Sequence, residues 1–221
     1  HDVAYYGKET WGSYWGKMYD NGYYTTNTPG FFDFILENIE YDFTSNSISI
    51  NEGSHSILGY RGQYKKIIIP NTFQYDGQII TTDTVGRLTK DGTENGTSEL
   101  ECVYISGFNN IGFAGATVSL MGKNNTSLED IVLAGQDIVI NEYTFNGCQE
   151  LRLAGGMDSI ISIGKYAFAD TKNYWNQSGS FWMLNKKDSV QRFDNLKNLD
   201  EGAFSNSGIP RFTYSSKLKS I

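Results

Sequence analysis

The chain has little of what most reactive sites are made from. Its 221 residues include two histidines, His1 and His55, and two cysteines, Cys102 and Cys148. His1 is terminal and His55 stands in a Gly-Ser turn, so no Ser-His-Asp or Cys-His set can be assembled. Zinc is equally short of ligands, and no calcium loop, phosphate-binding loop or dinucleotide fingerprint is present. Positive charge is scarce too. Lys and Arg number 18 against 25 Asp and Glu, a formal net charge of −7, which argues against nucleic acid because phosphates need clustered cations. No run approaches 18 apolar residues, so no membrane-crossing helix is expected. The carboxylates leave a glycosidase-like pair open, but any two of 25 could meet in space and the spacing singles out none. The expectation is a protein that is not an enzyme, with no catalytic residue, no metal and no cofactor.

What the chain does have is repetition. Ile140 precedes Phe145 by five positions with Thr144 between them, and Ile163 precedes Phe168 by five with Ala167 between. The stride from one copy to the next is 23 residues. The phrase returns as Leu199, Ala203 and Phe204, and opens again at Ile221. A second register runs beside it, with Ile160, Leu196 and Leu218 each three residues before its partner. A period in the twenties marks one supersecondary unit used repeatedly, too short to bury its apolar face alone, so that copies must stack. Phe145, Phe168 and Phe204 are therefore expected in one column.

The segments IGKYAF (163–168) and LDEGAF (199–204), with CQELRL (148–153) following NEYTFNG (141–147), resemble the BspA-like leucine-rich repeats. The resemblance covers residues 98 to 221 and runs best from 138 onward. It implies a right-handed solenoid, mainly β with short helical turns and one short strand per coil. It also implies residence on a microbial cell surface or secretion, and a role in adhesion or binding. In such a repeat Cys148 takes the place of a small buried residue. A Cys102–Cys148 bridge stays open, because spacing cannot decide it.

Residues 1–45 are different material. Thirteen aromatics crowd the first 43 positions, and such density calls for burial. Trp11, Tyr14, Trp15 and Tyr19 would line one side of a short helix, while Gly12, Gly16 and Gly22 weaken that pattern. These four serve either as an N-terminal cap or docking segment, or as sugar-stacking rings. The repeat region is expected over 46–221. Its early part reads as strands at Ile48 to Ile50, Ile57 to Tyr60 and Lys65 to Pro70, similar to the opening of BspA-like arrays. The expected small-residue-plus-Phe is missing at Val85-Gly86-Arg87-Leu88. Leu128, Ile131 and Leu133 should face the core, and Glu129, Asp130, Val132 and Arg152 should face out.

Between Phe168 and Phe204 an excess of 13 residues maps near 171–187. Insertions in repeat proteins become loops on one face, often the binding face. This one carries Tyr174, Trp175, Phe181 and Trp182, which either fold back as packing or, with Arg152, contact a ligand or partner. Four glycosylation sequons occur at Asn95, Asn124, Asn125 and Asn176. The chain opens without a Met or an apolar leader, as a trimmed segment would. It closes on Lys217 to Ile221, which begins a new unit, so the array is expected to be C-terminally incomplete. Two functional expectations follow. One is a non-catalytic extracellular or cell-surface protein that recognises a protein or a glycan. The other is a structural appendage of a larger assembly, such as a virion or surface filament, docked onto neighbouring subunits by its N-terminal segment.

Overall fold

A computed structural model describes residues 47–123, 125, 127–171, 191–208, 212–214 and 216–219. Short β-branched runs separated by Gly, Asn and Asp make the elements: β1 (Ile48–Ile50), β2 (Ile57–Tyr60), β3 (Lys66–Pro70), β4 (Thr72–Tyr75), β5 (Gln78–Thr81), β6 (Thr84–Thr89), β7 (Cys102–Ser106), β8 (Asn110–Ile111), β9 (Asp130–Ala134), β10 (Ile138–Ile140), β11 (Arg152–Gly155), β12 (Ile160–Ile163), β13 (Gln191–Phe193), β14 (Asn198–Leu199) and β15 (Phe212–Tyr214). One turn of 3-10 helix, Met157–Ser159, leads into β12.

From β6 onward the chain crosses back and forth between two faces. β2, β6, β8, β10, β12 and β14 stand side by side in one parallel sheet, with β1 added antiparallel at its edge. The strands between them, β3, β7, β9 and β11, form a second parallel sheet of four, and β13 pairs with β15. Parallel strands that are successive in a sheet need a crossover. Here the crossovers from β6 to β8, from β8 to β10 and from β10 to β12 each carry one strand of the opposite sheet, β7, β9 and β11 in turn.

The register places like on like. Along the seven-stranded sheet Ile57 pairs with Val85, Val85 with Ile111, Ile111 with Ile140, Ile140 with Ile163, and Ile163 with Leu199. Opposite them Ile67, Val103, Ile131 and Leu153 align across β3, β7, β9 and β11, and beside these Ile69, Ile105 and Leu133. Both inner faces meet in one buried cluster that runs from Ile48 to Ala203. Fully burying an aliphatic side chain contributes about 1.5–3 kcal/mol, and no repeat holds enough of them to stand alone.

The three phenylalanines fall in one column. Phe145 stacks on Phe168 with ring centroids 5.1 Å apart, and Phe168 on Phe204 at 5.5 Å. The backbone repeats the match, since Phe145 N donates to Ala167 O (2.7 Å) and Phe168 N to Ala203 O (2.8 Å). The small residue before each Phe leaves room for this bond. Leu120 N donates in the same way to Thr144 O, so Leu120 and Ser119 occupy the Phe and small-residue places of the preceding repeat. Val85, where the repeat phrase looks interrupted, keeps its core position and is fully buried. Leu128, Ile131 and Leu133 are buried as expected. Val132 turns away from the main cluster, as expected, and is nonetheless 1% exposed.

Candidate interaction surface

The turn after each strand of the large sheet bears a ridge. At the same place in two successive repeats stand Tyr143 and Tyr166, both with left-handed backbone, φ 56 and 53. In the next repeat Gly202 takes that place with φ 65. Only glycine adopts this conformation without cost; a tyrosine there costs roughly 1–2 kcal/mol. The ladder compensates: Tyr143 N donates to Lys165 O and Tyr166 N to Glu201 O. The two rings lean on each other with centroids 5.4 Å apart, and Gly202 leaves the space that the Tyr166 ring fills.

Charge runs along the same ridge. Lys165 Nζ bonds Glu201 at 2.9 Å and lies 5.3 Å from the centre of the Tyr166 ring. The hydrogen bond and charge of Glu201 hold the Lys165 ammonium above its ordinary range. Glu142 accepts from Gly115 N (2.9 Å), and at the opposite end of the strands, before β10 and β14, Lys197 stands 4.0 Å from Asp137. These solvated pairs add little stability. They do fix which polar groups the ridge presents.

Side-chain amides lock neighbouring repeats at the corners. Asn71 donates to Gly107 O, Asn109 to Gln136 O, Asn141 to Gly112 O and Asn146 to Ala169 O. The buried Thr144 hydroxyl lies 2.8 Å from Asn141 O and 3.0 Å from Ile111 O and shares its single proton between them. On another corner the β4–β5 hairpin projects through an Asp76-Gly77 turn, both residues at positive φ. Among the described residues Ile79 is the exposed large hydrophobic, at 78%.

Of the residues singled out in the sequence, Trp11, Tyr14, Trp15 and Tyr19 lie outside the described residues, as do Tyr174, Trp175, Phe181 and Trp182. Arg152 opens β11 beside Asp130 of β9; nothing further is described of its side chain. Cys102 and Cys148 are both buried thiols, not a bridge. Cys148 sits in the core 3.6 Å from Ser119 Oγ, and burial pushes its pKa up to about 12, against a small opposite pull from the Ser119 hydroxyl. That is a packing cysteine and not a nucleophile. Among the sequons, Asn95 is exposed. Asn125 is 5% exposed and its amide is used at both ends, donating to Ser98 O and accepting from Leu128 N. A glycan on Asn125 would break both bonds. Among the described residues no group of three or more His, Cys, Asp and Glu could hold a metal, and no helix is long and apolar enough to cross a membrane.

Sequence reasoning missed the tyrosine ridge, although its signal is the shared middle position of NEYTF and GKYAF. It also passed over the hairpin, whose Asp-Gly pair is a strong two-residue turn signal.

Stacked parallel strands, a repeated inward column and a phenylalanine ladder define a leucine-rich-repeat type of protein built mainly from strands. More particularly, residues 123–221 match the BspA type leucine rich repeat region in six copies. The chain is also similar to the crystal structure of a leucine rich cell surface protein from Faecalibacterium prausnitzii A2-165. That similarity has 19% sequence identity and a TM-score of 0.46, over 79% of this chain and 48% of the other. This chain thus spans about half the length of that protein. No curated protein matches.

Proposed function

We propose that this is a non-catalytic surface or secreted protein whose repeats form a right-handed solenoid and recognise a protein or glycan by shape and surface chemistry. The observation that carries the reading is the division of labour within each large-sheet strand. The inward position stays apolar, as Val85, Ile111, Ile140, Ile163 and Leu199. The position beside it varies freely, as Thr84, Asn110, Val139, Ser162 and Asn198. A scaffold that holds its interior constant can vary its exterior for recognition without loss of fold.

In this reading the aromatic residues of the 171–187 insertion, Tyr174, Trp175, Phe181 and Trp182, supply the anchors and Arg152 a neighbouring charge, because large rings give most of the energy at protein interfaces. Residues 1–45 act as the aromatic cap. The test is to screen the intact chain against arrays of glycans and surface proteins, then to repeat any hit with Trp175→Ala and Trp182→Ala. Each change is expected to weaken binding by about tenfold or more, the loss typical of an anchor residue. A ligand held equally well by the double variant would show that the insertion is not the contact surface.

A further inference from the structure

Two tyrosines stand where a glycine would be free of strain. Tyr143 and Tyr166 each follow the inward aliphatic residue of their strand, Ile140 and Ile163, by three positions, and both have left-handed backbone, φ 56 and 53. Gly202, three positions after Leu199, meets the same demand without cost. A bulky residue at positive φ is an outlier that points to a use for its side chain. Burial is not that use, because both tyrosines are only half-buried and neither joins the main cluster. The ladder is not that use either. Tyr143 N donates to Lys165 O and Tyr166 N to Glu201 O, bonds that a glycine would make as well.

We infer that the Tyr143–Tyr166 pair is a binding site for an extended, uncharged glycan, which rests on the recognition reading above and gives it a second place on the molecule and a ligand class. The ring centroids lie 5.4 Å apart, near the spacing of neighbouring strands, about 4.8 Å. One ring per repeat thus advances by about the length of one sugar residue in an extended chain. Aromatic rings take the apolar faces of sugars, and the hydroxyls around those faces need hydrogen-bond partners. Such partners stand in the adjacent column, where Glu142, Lys165 and Glu201 each come two positions after Ile140, Ile163 and Leu199. Lys165, 5.3 Å from the centre of the Tyr166 ring, is at hand to donate, and the carboxylates are at hand to accept. The Lys165 charge is met by Glu201 at 2.9 Å and Glu142 adds a second carboxylate, so the column does not favour an anionic ligand. A protein partner fits less well, since its contacts join aromatic anchors to a broader apolar patch. Among the described residues the exposed large hydrophobic, Ile79, is on the separate β4–β5 hairpin.

The test is a calorimetric titration of the full chain with the linear hexaoses of glucose, mannose and N-acetylglucosamine, and with hexagalacturonate as an anionic control. At least one neutral hexaose is expected to bind. Tyr143→Gly with Tyr166→Gly, which removes the rings and relieves the backbone, should weaken that binding by about tenfold or more. Tyr143→Phe with Tyr166→Phe keeps the rings and should keep most of the affinity. Binding that survives the glycine pair but is lost with Trp175→Ala and Trp182→Ala overturns the inference and leaves the recognition reading standing. Binding of no neutral hexaose, or of hexagalacturonate alone, overturns it too. Should the glycine pair fail to fold, the native protein decides. With ring-labelled tyrosine, the Tyr143 and Tyr166 NMR signals, assigned from the single Phe variants, should shift as the bound hexaose is added. Signals that stay in place while the hexaose binds would contradict the inference.

Discussion

Single residues are held here by their place in the repeat. Gly202 shows this most plainly: its φ of 65 disfavours any side chain, and a Cβ would enter the Tyr166 ring. Gly202→Ala is therefore expected to cost about 2–3 kcal/mol, strain and overlap together. Gly147 also has positive φ, 73, but opens onto empty space, so Gly147→Ala should cost only the backbone strain, about 1–2 kcal/mol. Equilibrium urea unfolding of the two variants gives the difference. Cys148 supplies a pH signature. Its thiol ordinarily titrates at 9.0 and is raised to about 12 by burial. Below pH 9 its contribution is fully present. Between the two values the folded state keeps a proton that the unfolded chain has lost, so stability falls with rising pH by about 1.4 kcal/mol per unit. Unfolding measured at pH 8 and pH 10.5 should show that loss in the native protein, and Cys148→Ala should remove it. An equal alkaline loss in both proteins would place its origin elsewhere, in tyrosines for example.

Among elements, the phenylalanine column is the part most easily read from sequence, because its residues keep a fixed offset of five from an aliphatic partner. Phe168, in the middle, touches a ring on either side. Phe168→Ala should cost about 3–5 kcal/mol, and Phe204→Ala, half-buried at the end of the column, distinctly less. Thermal and urea unfolding read both, and a larger loss at Phe204 would mean that the column is not continuous through Phe168. Where the fold was hidden from sequence, a spacing had changed. Ile111 and Leu120 are nine apart instead of five, so the place of Leu120 under Phe145 emerges only from the bond between Leu120 N and Thr144 O. The burial of Val132 was hidden for a different reason: alternation along a strand gives the direction of a side chain but not its exposure. The aromatic residues nominated as contacts belong to stretches with no repeat, where periodicity has nothing to say.

For the molecule as a whole, stability should be a sum over neighbours. Each repeat contacts the one before and the one after, through the ladders, the corner asparagines and the column. Among the described residues the buried cluster is assembled strand by strand from these neighbouring units, and a whole unit is therefore expected to be removable in a way that no segment of an ordinary globular domain is. Exterior variation follows from the same property, since outward residues can change without disturbing the interior.

Deletion of residues 141–163, one stride of 23 that joins Ile140 directly to Gly164, tests this most directly. The repeat account predicts a folded protein with the same parallel-strand circular dichroism and a single unfolding transition, weakened by no more than the loss of one unit and its interface. Collapse to an unfolded or molten chain, as when the middle of a single integrated core is cut out, would contradict it.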